Sequence, residues 1–153
     1  MGGDAAPGAA ARRDFVRLGR GTVAAAVVLL AGAVADHALI GGHFAAAAER
    51  AGNDLGRAEA GGLVAAVGRV VLALALALLA AMGGLAWRRS PARALLIGSL
   101  AWILAYPILL GQLVLFGVLP GRVAALVAGV GLLQFAGATL AAAWAMAPRQ
   151  PKA

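Results

Sequence analysis

The feature that most constrains this chain is a repetition of length: residues 21–44, 62–86, 94–118 and 122–146 are apolar stretches of 24 or 25 residues each. At a rise of about 1.5 Å per residue, a helix of roughly 20 apolar residues crosses the hydrocarbon core of a bilayer. Backbone N–H and C=O groups find no water there, so each such stretch must bond to itself as a helix. The expected fold is therefore all-α, an integral membrane four-helix bundle. The four stretches hold about 99 of the 153 residues, leaving too few for a second folded domain of ordinary size. The reading divides the chain into a basic N-tail (1–20, its first 11 residues or so without order), a four-span domain (21–146) and a C-tail (147–153).

Hydrophobic residues make up 63% of the chain, with a mean hydropathy of +0.91, well above the roughly 45–50% of soluble domains. A formal charge of +7 would point to nucleic acid in a soluble protein, but twelve of the thirteen cations are arginines gathered at span ends. The partner this implies is the lipid bilayer, not nucleic acid. The absence of cysteine excludes disulfides, thiolate metal sites and thiol redox chemistry. Lys152 is the only lysine, so no span carries a Schiff-base residue. The richness in Ala, Gly, Leu, Val and Arg matches the codon bias of a GC-rich bacterium, which makes a bacterial inner membrane the expected location.

Arg12, Arg13, Arg17 and Arg20 precede the first span, Arg88, Arg89 and Arg93 separate the second from the third, and Arg149 and Lys152 follow the fourth. These nine face only Arg50, Arg57 and Arg122 at the opposite ends. Cations are retained on the cytoplasmic side, so both termini are expected there, with Trp87 and Trp144 as interfacial anchors. Ala45–Ala51 continues the first helix until Gly52 and Asn53, which tolerate a left-handed terminal residue. Ser90 and Pro91 form an N-cap and first-turn pair for the third helix. Pro120-Gly121 makes a tight turn, Pro107 is expected to kink the third helix, and two short connections are expected to make helices two, three and four antiparallel neighbours, with helix one completing an up-down bundle.

A second reading of the first span starts from Arg12-Arg13-Asp14-Phe15-Val16-Arg17, which resembles a twin-arginine export motif, and Ala33-Val34-Ala35, which resembles a cleavage site. Cleavage there would leave three spans and turn Asp36 into a terminal residue. Against it, apolar character resumes at once in Ala38, Leu39 and Ile40, and arginines before a first span follow from the charge rule alone.

Two charges lie inside spans: Asp36 in the first and Arg69 in the second, each eight residues from the joining loop. That is about 12 Å below Phe44 and Gly61 respectively. A charge near the bilayer centre costs about 2.5–3.5 kcal/mol even on the mildest scale, so the two are expected to pair across the hairpin. At 100° per residue, Gly62, Ala65, Ala73, Leu76 and Ala80 share the face of Arg69, while Val67, Val71, Leu74 and Leu78 face away. His43 and Gly32 share the face of Asp36; His37 is turned away. Gln134 lies on the face of Val127 and Ala138, and Tyr106 on that of Ser99 and Trp102, with Gln112 nearer the outer surface. Asp36, His43, Arg69, Tyr106, Gln112 and Gln134 thus form a candidate ligand-binding cluster in the middle and outer part of the bundle. Only Ser99 and Thr139 continue it inward, too little for a polar path across the membrane.

Other chemistries lack their parts. His37 and His43 are six residues apart, about 240° round a helix, and cannot converge on one metal ion. The later helices hold no histidine for a bis-histidine haem, and Ser90 and Ser99 have no nearby base for nucleophilic hydrolysis. No enzymatic activity, metal or cofactor is therefore expected. Ala33-Val34-Ala35-Asp36-His37 does resemble the Ala-x-x-x-His element of light-harvesting antenna helices, in which the imidazole ligates a bacteriochlorophyll. His37-Ala38-Leu39-Ile40-Gly41, the longer first loop and the final hairpin with Pro107 and Gln134 resemble small bacterial four-helix membrane proteins whose first helix ends in His-Gly-x-Leu-Leu, with Ala38 in place of Gly. That family implies an uncleaved first helix and no particular activity. The sequence thus points to an accessory or structural subunit packed on membrane-protein partners or on copies of itself through glycine- and alanine-rich faces. The alternative is a small binding or transport protein using the polar cluster around Asp36 and Arg69.

Overall fold

The computed structural model describes residues 7–50, 56–82 and 90–147. They form four helices, α1 (Pro7–Arg50), α2 (Gly56–Met82), α3 (Pro91–Leu115) and α4 (Gly121–Met146), and no strand among those residues. Three contain segments long and apolar enough to cross a membrane: Ala11–His43, Pro91–Leu115 and Gly121–Met146. In α2 the fully described apolar part is Ala66–Met82. The remainder of the expected second span, 83–86, and the anchor Trp87 lie outside the described residues, as do residues 1–6 of the N-tail and 148–153 of the C-tail.

Local chemistry sets the boundaries of α3. Ser90 accepts a hydrogen bond from the Arg93 amide at 3.4 Å and Pro91 opens the first turn, as the sequence requires. At the other end Gly117 adopts φ +70°, and the amides of Gly117 and Val118 bond back to the Val114 and Leu113 carbonyls at 3.0 and 2.9 Å. This is a Schellman closure, which only a residue free to take positive φ completes without strain. It stops α3 at Leu115, three residues before the end the hydropathy pattern gives. Pro107 lies within an otherwise continuous helix.

α1 and α3 run antiparallel to α4, with Gly21 of α1 beside Met146 of α4 and Gly98 of α3 beside Phe135 and Thr139 of α4. α4 is the centre, packing on all three others; α1 lies between α2 and α4, while no Cα pair joins α1 to α3 within 8 Å among the described residues. The connections around α3 suggested a closer α2–α3 pair than the structure has: α3 leans chiefly on α4. The reason is small side chains. A Cβ added at Gly98 would come within 2.6 Å of the Phe135 carbonyl oxygen and 2.8 Å of Ala136 Cα, and one at Gly131 within 2.7 Å of the Tyr106 ring. Ala73, Leu76, Ala77 and Ala80 of α2, Ala25 and Leu29 of α1, and Phe135, Ala138, Ala142 and Met146 of α4 close the main core. A smaller cluster of Leu110, Leu119 and Val127 closes the other end.

Candidate functional site

Three helices meet at one carboxylate. Asp36 of α1 is only 4% exposed. Its Oδ2 accepts from Arg69 Nη2 of α2 at 3.0 Å, and its Oδ1 accepts from Gln134 Nε2 of α4, also at 3.0 Å. The same Gln134 nitrogen lies 3.3 Å from the Gly32 carbonyl oxygen, one turn earlier on α1. Gly32 makes this approach possible, since a Cβ there would fall on the Gln134 amide. Each oxygen of the acid thus has a donor, and one donor is cationic, so these bonds are of the stronger charge-assisted kind.

The pairing of Asp36 with Arg69 follows the helical phase of α2. Ala73, Leu76 and Ala80 on the arginine's face are buried, while Val67, Val71, Leu74 and Leu78 on the other are exposed. The third member, Gln134, was legible as a buried-face polar residue but not as the acid's partner. Depth measured from Phe44 and Gly61 set Asp36 and Arg69 nearer the outer surface than Gln134. α1 runs on to Arg50, as the expected continuation over Ala45–Ala51 requires, whereas α2 starts at Gly56, six residues before the expected span. Gln134 is mid-way along the 26 residues of α4. The trio is therefore level, with Asp36 14 residues from Arg50, Arg69 13 from Gly56 and Gln134 13 from Gly121.

The remaining candidates separate from this trio. Tyr106 is half-buried, stacks on Trp102 with ring centroids 6.5 Å apart and meets Phe135 edge-on at 5.6 Å. It lies within electrostatic range of Asp36 and Arg69, and no hydrogen bond links it to them among the described residues. His43 is half-buried toward the C-terminal end of α1, two turns from Asp36. Gln112 is exposed on α3, where its carbonyl accepts the Phe116 amide in the helix cap. His37 is exposed and folds along its own helix, so that a Cβ at Gly41 would lie 3.2 Å from its ring.

One polar group of α1 was not singled out in the sequence. Thr22 donates to the Leu18 carbonyl at 3.0 Å, the same one-turn-back bond that Thr139 makes to Phe135 at 2.8 Å; both hydroxyls are satisfied within their own helices. The buried Trp102 indole N–H finds no acceptor among the described residues. Among the described residues, no three His, Asp or Glu side chains gather as metal ligands. The chain matches no protein-family model, no curated protein and no solved structure.

Proposed function

We propose that the chain is a multi-pass protein of a bacterial plasma membrane with both termini cytoplasmic. In this reading it has no enzymatic activity and serves as an accessory or structural subunit beside other membrane proteins or copies of itself. The observation that carries this reading is the state of Asp36. Both of its oxygens are engaged by side chains of two other helices, so the charge fixes the register of α1 against α2 and α4 instead of waiting for a ligand. In an apolar surround this is the arrangement by which an intramembrane acid is tolerated.

Outward-facing surfaces fit a subunit more closely than a free-standing carrier. The tightest glycines, Gly32, Gly98 and Gly131, face inward, whereas Leu104, Ile108 and Leu115 form an exposed face on α3 that also carries Gly111 and borders Gln112. A polar amide beside an apolar face is a point at which a second transmembrane helix gains a hydrogen bond. A second reading, a binding or transport site, rests on the 24% of the Arg69 side chain that stays accessible.

A double-mutant cycle separates the two. Arg69→Gln alone strands the Asp36 carboxylate and is expected to destabilise the purified protein by about 3–5 kcal/mol, the cost typical of breaking a buried pair. Adding Asp36→Asn should recover most of that loss, and the double variant should still assemble with its partner chain. A double variant that is stable and assembled, yet has lost binding of a small anion shown by the wild type, would move the case to the second reading. Because the chain has no cysteine, single-cysteine cross-linking at Leu104 and Ile108 reports the α3 face without background. Cross-links to one defined protein chain are expected, and labelling by lipid alone would count against a subunit.

A further inference from the structure

Counting from the trio along each helix, the outer ends of α1, α2 and α4 are nearly flush. The inner ends are not. Gly21 lies against Met146, the last residue of α4, and Pro7–Arg20 continues α1 as an arm of about 21 Å past that contact. Arg13, Arg17 and Arg20 follow one another at spacings of four and three along this arm and fall within about 60° on its circumference. Trp144, 81% exposed and one turn or less from Met146, marks the level at which aromatic side chains sit at a membrane interface. The arginine stripe therefore begins at headgroup height and rises from it.

Beside the stripe is a cavity of about 360 Å³ between the arm and the ends of α2 and α4. Leu18, Phe15, Ala81 and Met146 wall it, and Asp14 and Arg17 border it. Arg17 is the one side chain that belongs both to the stripe and to the cavity. Its contact with Asp14 is long, 3.7 Å, and solvent-exposed, so it is a weak competitor for the guanidinium.

We infer that this corner is a seat for the phosphate-bearing headgroup of an acidic phospholipid of the cytoplasmic leaflet. Arg17 binds the phosphate in the cavity, and Arg13 and Arg20 hold the potential that selects an anionic over a zwitterionic lipid. Four arginines immediately inside a span are the charge pattern that draws acidic lipids, and the guanidinium fork suits a phosphate. The apolar wall supplies what a bare basic stretch lacks, a shaped site that excludes water from one side of the ion pair. The inference rests on the membrane reading above.

The test uses the full chain in mild detergent with mixed micelles of equal phosphatidylglycerol and phosphatidylcholine, followed by gel filtration and mass-spectrometric counting of lipid retained per protein. Wild type should retain phosphatidylglycerol in several-fold excess, and each Arg→Gln change at 13, 17 or 20 should lower that excess by up to about fivefold. The triple variant should return to the ratio supplied. Asp14→Asn should raise retention. Ala81→Phe, which fills the cavity and leaves every arginine, should lower it; if that variant loses helix content, Phe15→Ala, which opens the exposed wall, takes its place with the same expectation. A wild-type ratio equal to that supplied, a triple variant like wild type, or cavity variants without effect each overturn the seat, the last by reducing it to diffuse attraction. Carbonate extraction of membranes separates the two proposals: a chain that stays in the pellet without lipid preference loses only the seat, and a chain that is extracted loses both.

Discussion

Helices α3 and α4 have nearly the same length, 25 and 26 residues, and nearly the same mean hydropathy, 2.0 and 1.9, yet 17% of the most apolar window of α3 is buried against 39% of that of α4. Hydropathy says that both belong with lipid and says nothing about which one the others surround. That choice is made by side-chain size and by a single amide. On α4, Val127, Gly131, Gln134, Ala138, Ala142 and Met146 give about a third of the circumference a surface that other helices can approach. On α3 only Ala94, Gly98 and Leu110 are buried, and Leu100, Ile103, Leu104, Ile108 and Leu109 look outward. In a bilayer, where lipid is as apolar as leucine, close backbone approach and hydrogen bonding have to replace the hydrophobic effect as the source of association.

The sharpest way to break this contrast is to remove the amide. Gln134→Leu deletes the donor to Asp36 Oδ1 and to the Gly32 carbonyl while keeping the helix apolar. A hydrogen bond to a charged group is worth about 1.5–3 kcal/mol, and a loss of that size should appear as a lower midpoint in thermal unfolding in detergent. If the midpoint does not move, small residues alone make α4 central. Next in size is Gly98→Val, aimed at the one seam the two helices share. The new side chain meets backbone of α4 rather than a flexible tip, so the helices must separate, at about 1–3 kcal/mol. An unchanged midpoint there would mean that α3 is held by something other than its contact with α4.

How much of this was legible beforehand divides along the same line. Four helices, the cap at Ser90, the buried face of α2 and the Asp36–Arg69 pair follow from periodicity, capping chemistry and the cost of a lone charge in hydrocarbon, all of which act within one helix or one hairpin. The central place of α4 and the role of Gln134 do not, because they depend on how far each helix runs. Six residues at the start of α2, beyond the expected span, bring Arg69 level with Gln134, and polar residues such as Arg57 and Glu59 hide that extension from any hydropathy window. Chain order likewise suggested α2 against α3, whereas Gly98 and Gly131 favour α3 against α4.

A milder test uses the outer glycine of α3. A Cβ at Gly111 would meet nothing within 4 Å, in contrast to Gly98 one helix face away. Gly111→Ala should therefore show only the backbone effect and raise stability by about 0.5–1 kcal/mol in detergent. In the membrane the same change should weaken assembly if a partner helix lies on this face, because close approach requires the missing Cβ. Stabilisation in detergent together with weaker assembly in membranes is the pattern expected of an interface glycine; stabilisation in both would assign the face to lipid.

The smallest effect is expected from Leu104→Ala, at a position 75% exposed on that same face. A leucine of the core costs about 2–5 kcal/mol when truncated, because a cavity remains behind it. Leu104 has no such cavity to leave: detergent or lipid tails close over the site, and the change should stay within about 0.5 kcal/mol. The same truncation at Leu29 of α1, only 1% exposed between α2 and α4, should fall in the core range. Equal losses at the two positions would show that the outer face of α3 is already covered in the purified protein. The contrast between α3 and α4 would then be a property of the single chain and not of its assembled form.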